Sequence, residues 1–146
     1  MTGALTYEVR RARGDDEMAE VLAVRHEVFC VEQGVPEREE HDGRDAGALH
    51  LVAVSGDEVV ATCRLLFVGS TVQFSRLAVC IDTRRRGIAS ALLDLADEEA
   101  RQAGARRLVL HAQTYARALY EAAGYVPQGR IFLEAGIEHI AMEKHL

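Results

Sequence analysis

The stretch from Val72 to His111 constrains the fold more than any other. It reads as a strand, VQFSRLAV, then the loop TRRRG, an amphipathic helix over about Ile88–Ala103 closed by Gly104, and a second strand at Leu108–His111. A strand, a helix of this length and a strand return the chain as a parallel neighbour through a crossover, so the sheet must hold at least one parallel pair. The first strand also changes phase. Val72 and Phe74 set one alternation, and Leu77 and Val79 fall in the opposite one. One extra residue in a β-bulge produces such a slip, and bulges occur where a strand must open away from its neighbour. Two parallel strands splayed in this way leave a crevice with a helix N-terminus at its end, the place where open α/β sheets bind ligands.

The loop at that end is basic in an acidic chain. Seventeen lysines and arginines stand against 23 acidic residues, a net charge of −6, yet Arg84, Arg85 and Arg86 sit side by side. Gly87 occupies the N-cap position, and no Ser, Thr, Asp or Asn immediately precedes Ile88, so the first helical N–H groups lack a side-chain acceptor. Open N–H groups, the helix dipole and guanidiniums make an anion site suited to phosphate oxygens. Neither GxxxxGK[ST] nor GxGxxG is present. The negative balance excludes broad nucleic-acid binding, which requires a basic surface.

Leu5, Tyr7 and Val9 alternate as a strand. Asp15 and Asp16 suit a helix start, and Met18, Val21, Leu22, Val28 and Phe29 follow on one helical face that also includes Arg25. An acidic, turn-rich segment spans Gly34 to Gly47. Strands are expected at Leu49–Val54 and Val59–Phe67, joined by Ser55, Gly56 and Asp57, and a short helix at Tyr115–Ala123. Its core stripe reads as Tyr115, Ala118, Leu119, Ala122 and Ala123. Tyr120 then lies off the stripe, where helical geometry suits a crevice-facing and a solvent-facing hydroxyl equally. Two final strands fall near Ile131–Phe132 and Ile137–Glu143. With no repeats or linkers, one mixed α/β domain over residues 1–146 is expected. Met1 to Arg13 lacks the apolar centre of a signal peptide and no run suits a membrane span, which makes a cytoplasmic protein the expectation. Cys30, Cys63 and Cys80 form no CxxC pair, and the six histidines have no ligand-like spacing, so no metal is expected.

At this point the residues carry a family resemblance. R-x-x-G-x-A at Arg84, Gly87 and Ala89, after Leu77–Val79, resembles the acyl-CoA signature of the GNAT N-acetyltransferase superfamily. A-x-x-L-Y-E-x-x-G-Y, Ala116 to Tyr125, resembles its later motif. R-x-x-V-F-x-x-E-Q-x-x-P from Arg25, E-x-D-x-x-D-x-x-A-x-H from Glu40 and F-x-E-x-G-I-x-H-x-x-M from Phe132 are similar to the ElaA-type branch. The resemblance implies a twisted mixed sheet flanked by helices and splayed between its fourth and fifth strands around acetyl-CoA. It implies that the backbone of Leu77, Ala78 and Val79 pairs with the pantetheine arm. The pyrophosphate would sit on Arg84 to Ser90, a loop that includes Arg85, Arg86, Ile88 and Ala89. Gln113, where many members carry asparagine, and Ala116 would also contact the cofactor. Tyr120 would approach the sulfur.

Acetyl transfer to an amine requires a neutral nucleophile, a donor for the oxyanion and a proton for the thiolate. The N–H of Val79 suits the second requirement and Tyr120 the third. Glu32, Glu40, His41, Asp42, Asp45, His50, His111 and Glu134 are all chemically able to act as base; Glu32 leads because its E-Q pair follows the first helix within a motif that resembles the ElaA-type branch. Phe29, Glu32, Gln33, Glu40 and His111 are the expected acceptor contacts, for a small-molecule or peptide amine. The acidic segment reads either as a solvated face or as an electrostatic funnel for a cationic acceptor. Arg25 is expected to pair with a buried carboxylate. A non-catalytic acyl-CoA sensor is the alternative function, and nothing in the sequence forbids a homodimer.

Overall fold

In a computed structural model, which describes residues 5–146, the chain forms a seven-stranded sheet in the order β1-β2-β3-β4-β5-β7-β6. The first four residues of the segment read above for a signal peptide lie outside the described part. The strands are β1 Glu8–Arg11, β2 Leu49–Ser55, β3 Glu58–Val68, β4 Thr71–Val79, β5 Arg107–Gln113, β6 Val126–Glu134 and β7 Ile137–His145. The helices are α1 Gly14–Arg25, α2 Glu37–Glu40, α3 Ile88–Gln102 and α4 Arg117–Ala122. All neighbours are antiparallel except β4 and β5, which α3 connects. No helix among the described residues is long and apolar enough to cross a membrane.

Two clusters hold the sheet between its helices. Leu92, Leu93, Ala96 and Ala100 of α3 meet Leu65, Val72, Leu108 and Leu110 on one face. Val21, Val24 and Val28 meet Val52, Val59 and Ala78 on the other. Each buried valine or leucine among them contributes about 1.5–3 kcal/mol of transfer free energy. Helix α1 runs into a π-helical stretch, His26–Glu32, in which the Gln33 N–H reaches back to the Val28 carbonyl at 3.2 Å. The wider turn keeps Val28 buried and carries Phe29 and Gln33 toward the crevice.

The bulge lies where the phase slip predicts it. Ser75 pairs with Arg64 and Ala78 with Thr62, so Cys63 alone faces both Arg76 and Leu77. Arg76 takes a left-handed φ of 58° to fit. As a result Leu77 and Val79 share the core side of Val72 and Phe74, while Ala78 turns to α1. Pairing with β5 stops at Gln73↔Val109. Beyond that point the two parallel strands separate.

Two sequence expectations require correction. The first turn of the short helix is a 3₁₀ segment, Thr114–Ala116. Its tighter winding rotates the helix that follows, so the inward residues are Ala116, Leu119, Tyr120 and Ala123, with Tyr115 and Ala118 exposed. Tyr120 is therefore on the core stripe and not off it. Strand β6 is also longer than the two residues expected. Pro127 and Gly129 hide it in the sequence, but it is an edge strand, where a missing N–H and an irregular register are tolerated.

Candidate functional site

A cavity of about 1150 Å³ opens between the separated strands. One wall is β4. The Cys80 N–H donates to the Val60 carbonyl at 2.9 Å, so the N–H of Val79, one residue earlier, points the opposite way, into the gap. At the far end stands the N-terminus of α3. Gly87 is its N-cap at φ 81°, with no side-chain cap and no acidic residue in the first turn. A Cβ on Gly87 would meet only the Tyr7 hydroxyl, at 3.8 Å, so the left-handed backbone, more than crowding, favours glycine there.

Most sequence-predicted cofactor residues line this cavity. Leu77 and Val79 do so from β4, Arg84, Arg85 and Gly87 from the loop, and Ile88, Ala89 and Ser90 from the first turn of α3. Gln113, Ala116 and Tyr120 line the opposite wall. Two do not. The Ala78 side chain faces α1 because the bulge sets the phase, and its backbone pairs with Thr62 of β3. Arg86 is exposed and turned away from the cavity.

Arg84 and Glu32 occupy each other. The Arg84 guanidinium donates to both Glu32 oxygens, at 2.7 and 2.6 Å, and its Nε donates to the Val79 carbonyl at 2.9 Å. Those hydrogen bonds hold the Glu32 carboxyl below its ordinary value. A carboxylate stabilised in this way is a weaker proton acceptor, and here Glu32, the expected base, holds the loop arginine against β4. It opens on a small adjoining pocket with Arg84, Gln33 and Gln113. There Gln113 Nε2 donates to Gln33 Oε1 at 2.9 Å, and Gln33 Nε2 donates to the Tyr115 hydroxyl at 3.1 Å.

Tyr120 is 8% exposed and sits edge-on to Phe74 and Tyr125, with ring centroids 6.3 and 6.0 Å away. Burial raises its phenol well above the ordinary tyrosine value, so it keeps its proton. Burial likewise raises the thiols of Cys30, Cys63 and Cys80, which makes none of them a ready nucleophile.

The acidic segment is only partly a solvated face: Glu37 and Glu39 are exposed, but Glu40, Asp42 and Asp45 are paired with arginines. Glu40, 2% exposed, accepts from Arg25 Nε and Nη2 at 2.7 Å and from Arg76 Nε at 2.9 Å. Asp42 accepts from Nη1 and Nη2 of Arg64 at 2.8 Å, and Asp45 from Arg25 at 2.7 Å and Arg64 at 3.1 Å. Three carboxylates thus face three guanidiniums, and Glu40 is not free to bind a cationic acceptor. Arg25 has the buried partner expected of it. Arg64 and Arg76, which the sequence reading passed over, line the cavity. The available signal was an arginine inside the apolar run VVATCRLLFV, where a charge demands a partner. His50 is buried against the Asp45 carbonyl, 2.9 Å away, and His41 is exposed.

This network sets an acid limit on stability. Hydrogen bonds from Arg64 hold Asp42 far below the carboxylate range. Burial works against ionisation at Asp45, yet Arg25 and Arg64 still bring it below its ordinary value. Because the folded values are depressed, the stabilisation is complete above the unfolded carboxylate range, begins to be lost as pH falls through it and goes on falling toward the folded values. The urea midpoint should therefore drop between about pH 5 and pH 3. A flat midpoint over that window would show that the pairs contribute nothing.

Of the remaining acceptor-side residues, Phe29, Gln33 and His111 line the cavity, and the His111 ring lies 2.9 Å from Glu134. No group of three or more His, Cys, Asp or Glu side chains among the described residues is arranged to hold a metal.

Comparison with known proteins agrees with this geometry. A family model described as an acetyltransferase (GNAT) domain matches residues 12–146. YjcF of Bacillus subtilis (strain 168), named an uncharacterized N-acetyltransferase, is 31% identical over 134 residues, which is 91% of this chain and 96% of that protein. The crystal structure of an acyl-CoA N-acyltransferase from Pseudomonas aeruginosa superposes with a TM-score of 0.84 at 29% identity, covering 96% of this chain and 99% of that one. Escherichia coli ElaA shares the fold, with a TM-score of 0.83 at 24% identity, over 96% and 99% of the two chains.

Proposed function

The chain belongs to the GNAT acetyltransferase family, whose members transfer acyl groups from acyl-CoA, and from that premise we propose that it is an N-acetyltransferase. In this reading it moves the acetyl group of acetyl-CoA to a primary amine of a small molecule or peptide, by direct attack in a ternary complex. The observation that carries the reading is a single cavity joining the unpaired edge of β4 to the uncapped N-terminus of α3. The free N–H groups of α3 and Arg85 suit a pyrophosphate, and the backbone of Leu77 and Val79 on the side of β4 that β5 has left suits a pantetheine amide. The Val79 N–H is a donor for the oxyanion. Raised thiols favour direct attack over an acyl-cysteine. The whole chain, 1–146, acts as one cytoplasmic domain that requires no metal.

The test is a panel of amines incubated with acetyl-CoA while free thiol is followed. Turnover of at least one amine supports the proposal; tight binding of acetyl-CoA with no turnover would instead identify a sensor. The anion site has its own test in Gly87→Asp. The new carboxylate would meet the first-turn N–H groups itself and repel phosphate, so the dissociation constant for acetyl-CoA should rise about tenfold or more. Calorimetry measures it, and equal affinities would remove α3 from the binding site.

A further inference from the structure

The acyl-CoA reading leaves unused a group of side chains on the half of the sheet that α1 does not cover. There His111 of β5, Glu134 of β6 and His139 of β7 line the same cavity. His111 Nδ1 lies 2.9 Å from Glu134 Oε1, and Phe132 is edge-on to the His111 ring at 5.0 Å and stacked on His139 at 6.0 Å. Because a carboxylate only accepts, Nδ1 of His111 carries a proton and donates it, which leaves the Nε2 lone pair of the neutral ring free. His139 is committed elsewhere. Its Nδ1 donates to the Ile137 carbonyl at 2.7 Å, and its Nε2 is 3.6 Å from Glu134, too far for a hydrogen bond.

The position along the sheet matters as much as the pairing. The β4–β5 ladder ends at Gln73↔Val109. Leu110 turns into the core, so His111 is the first β5 side chain beyond the last pair to point to the open face, at the apex of the crevice. Glu32, by contrast, is held by Arg84.

We infer that His111 is the general base of the transfer and that Glu134 is the positioning residue that fixes its tautomer, an assignment resting on the acetyltransferase reading above. The amine nitrogen uses its lone pair to form the C–N bond to the thioester carbonyl carbon. The C–S bond breaks with its pair on sulfur, and the proton shed by nitrogen goes to Nε2 of His111. The charged groups on this face of the cavity are Glu134 on β6, His139 and Glu143 on β7, and Asp42, Arg44 and Arg64 across it. Asp42 and Arg64 neutralise each other.

The experiment measures kcat/KM against pH with acetyl-CoA and a panel that includes benzylamine and 1,5-diaminopentane. His111→Gln should lower kcat/KM by about 10²–10⁴ and abolish the acid limb, while the acetyl-CoA dissociation constant stays within about twofold. Added imidazole should restore part of the rate to His111→Gly. Nitrogen NMR of the wild-type ring should find Nδ1 protonated and Nε2 bare, and Glu134→Gln should shift that balance, as a merely structural carboxylate would not. An unchanged pH profile in His111→Gln, or a proton resident on Nε2 in the wild type, overturns the base assignment alone. A wild-type protein that turns over no amine overturns the acetyltransferase reading itself.

Discussion

Glu40→Ala should destabilise the protein by about 3–5 kcal/mol, the usual loss when one partner of a buried ion pair is removed. The Glu40 carboxylate is the common acceptor of Arg25 and Arg76, and Arg25 is fully buried. Without it, Arg25 loses its main counter-charge in a place water does not reach and Arg76 loses a partner at the cavity wall, while Asp45 and Asp42 remain bonded mainly to Arg25 and Arg64. The same network fastens α1 to β3 and β4 through the 37–45 loop, so its loss should also loosen the cavity wall. Urea unfolding measures the effect. A double variant, Arg25→Met with Glu40→Leu, should lose less than the two single losses combined, because neither charge is then left alone. A loss below about 1 kcal/mol in Glu40→Ala would mean that water reaches the cluster.

Tyr120→Phe should lower kcat by about ten- to a thousandfold, with little change in acetyl-CoA affinity. The ring is a core residue, and phenylalanine preserves both edge-on contacts with Phe74 and Tyr125. Only the hydroxyl is lost. Burial keeps that hydroxyl protonated, which makes complete transfer of its proton to a thiolate uphill. Its contribution is therefore a hydrogen bond that strengthens as charge gathers on sulfur, felt in the transition state more than in the ground state. Single-turnover rates provide the measurement, since slow product release could hide the change. Equal rates for variant and wild type would leave Tyr120 as packing alone.

What could be read from the chain follows from the kind of physics involved. The β4 bulge and the uncapped α3 are local facts, written in the phase of Val72, Phe74, Leu77 and Val79 and in Gly87, and both were visible. Partners across long separations were not. Nothing in the sequence pairs Glu32 with Arg84, and a bidentate contact over that distance occupies the carboxylate expected to act as base. The acidic loop misled in the same way, because a run of carboxylates looks solvated until Arg25, Arg64 and Arg76 arrive from three other elements. The turn at Thr114–Ala116 misled for a smaller reason: a 3₁₀ start shifts the helical count by enough to move Tyr120 to the inner face.

The bulge at Arg76 places the cavity under the control of chain length. Cys63 faces two residues where a regular ladder would offer one, so the opening in the sheet depends on a single amino acid of slack. A genetic deletion of one codon between Ser75 and Leu77 would let β4 fall back into step with β3. Leu77 and Val79 would keep their side of the sheet, but the bend and added twist that lead β4 away from β5 would go, without altering any side chain assigned to chemistry. A lineage could therefore lose or regain this site by an insertion or deletion event, a kind of change to which a count of point substitutions is blind.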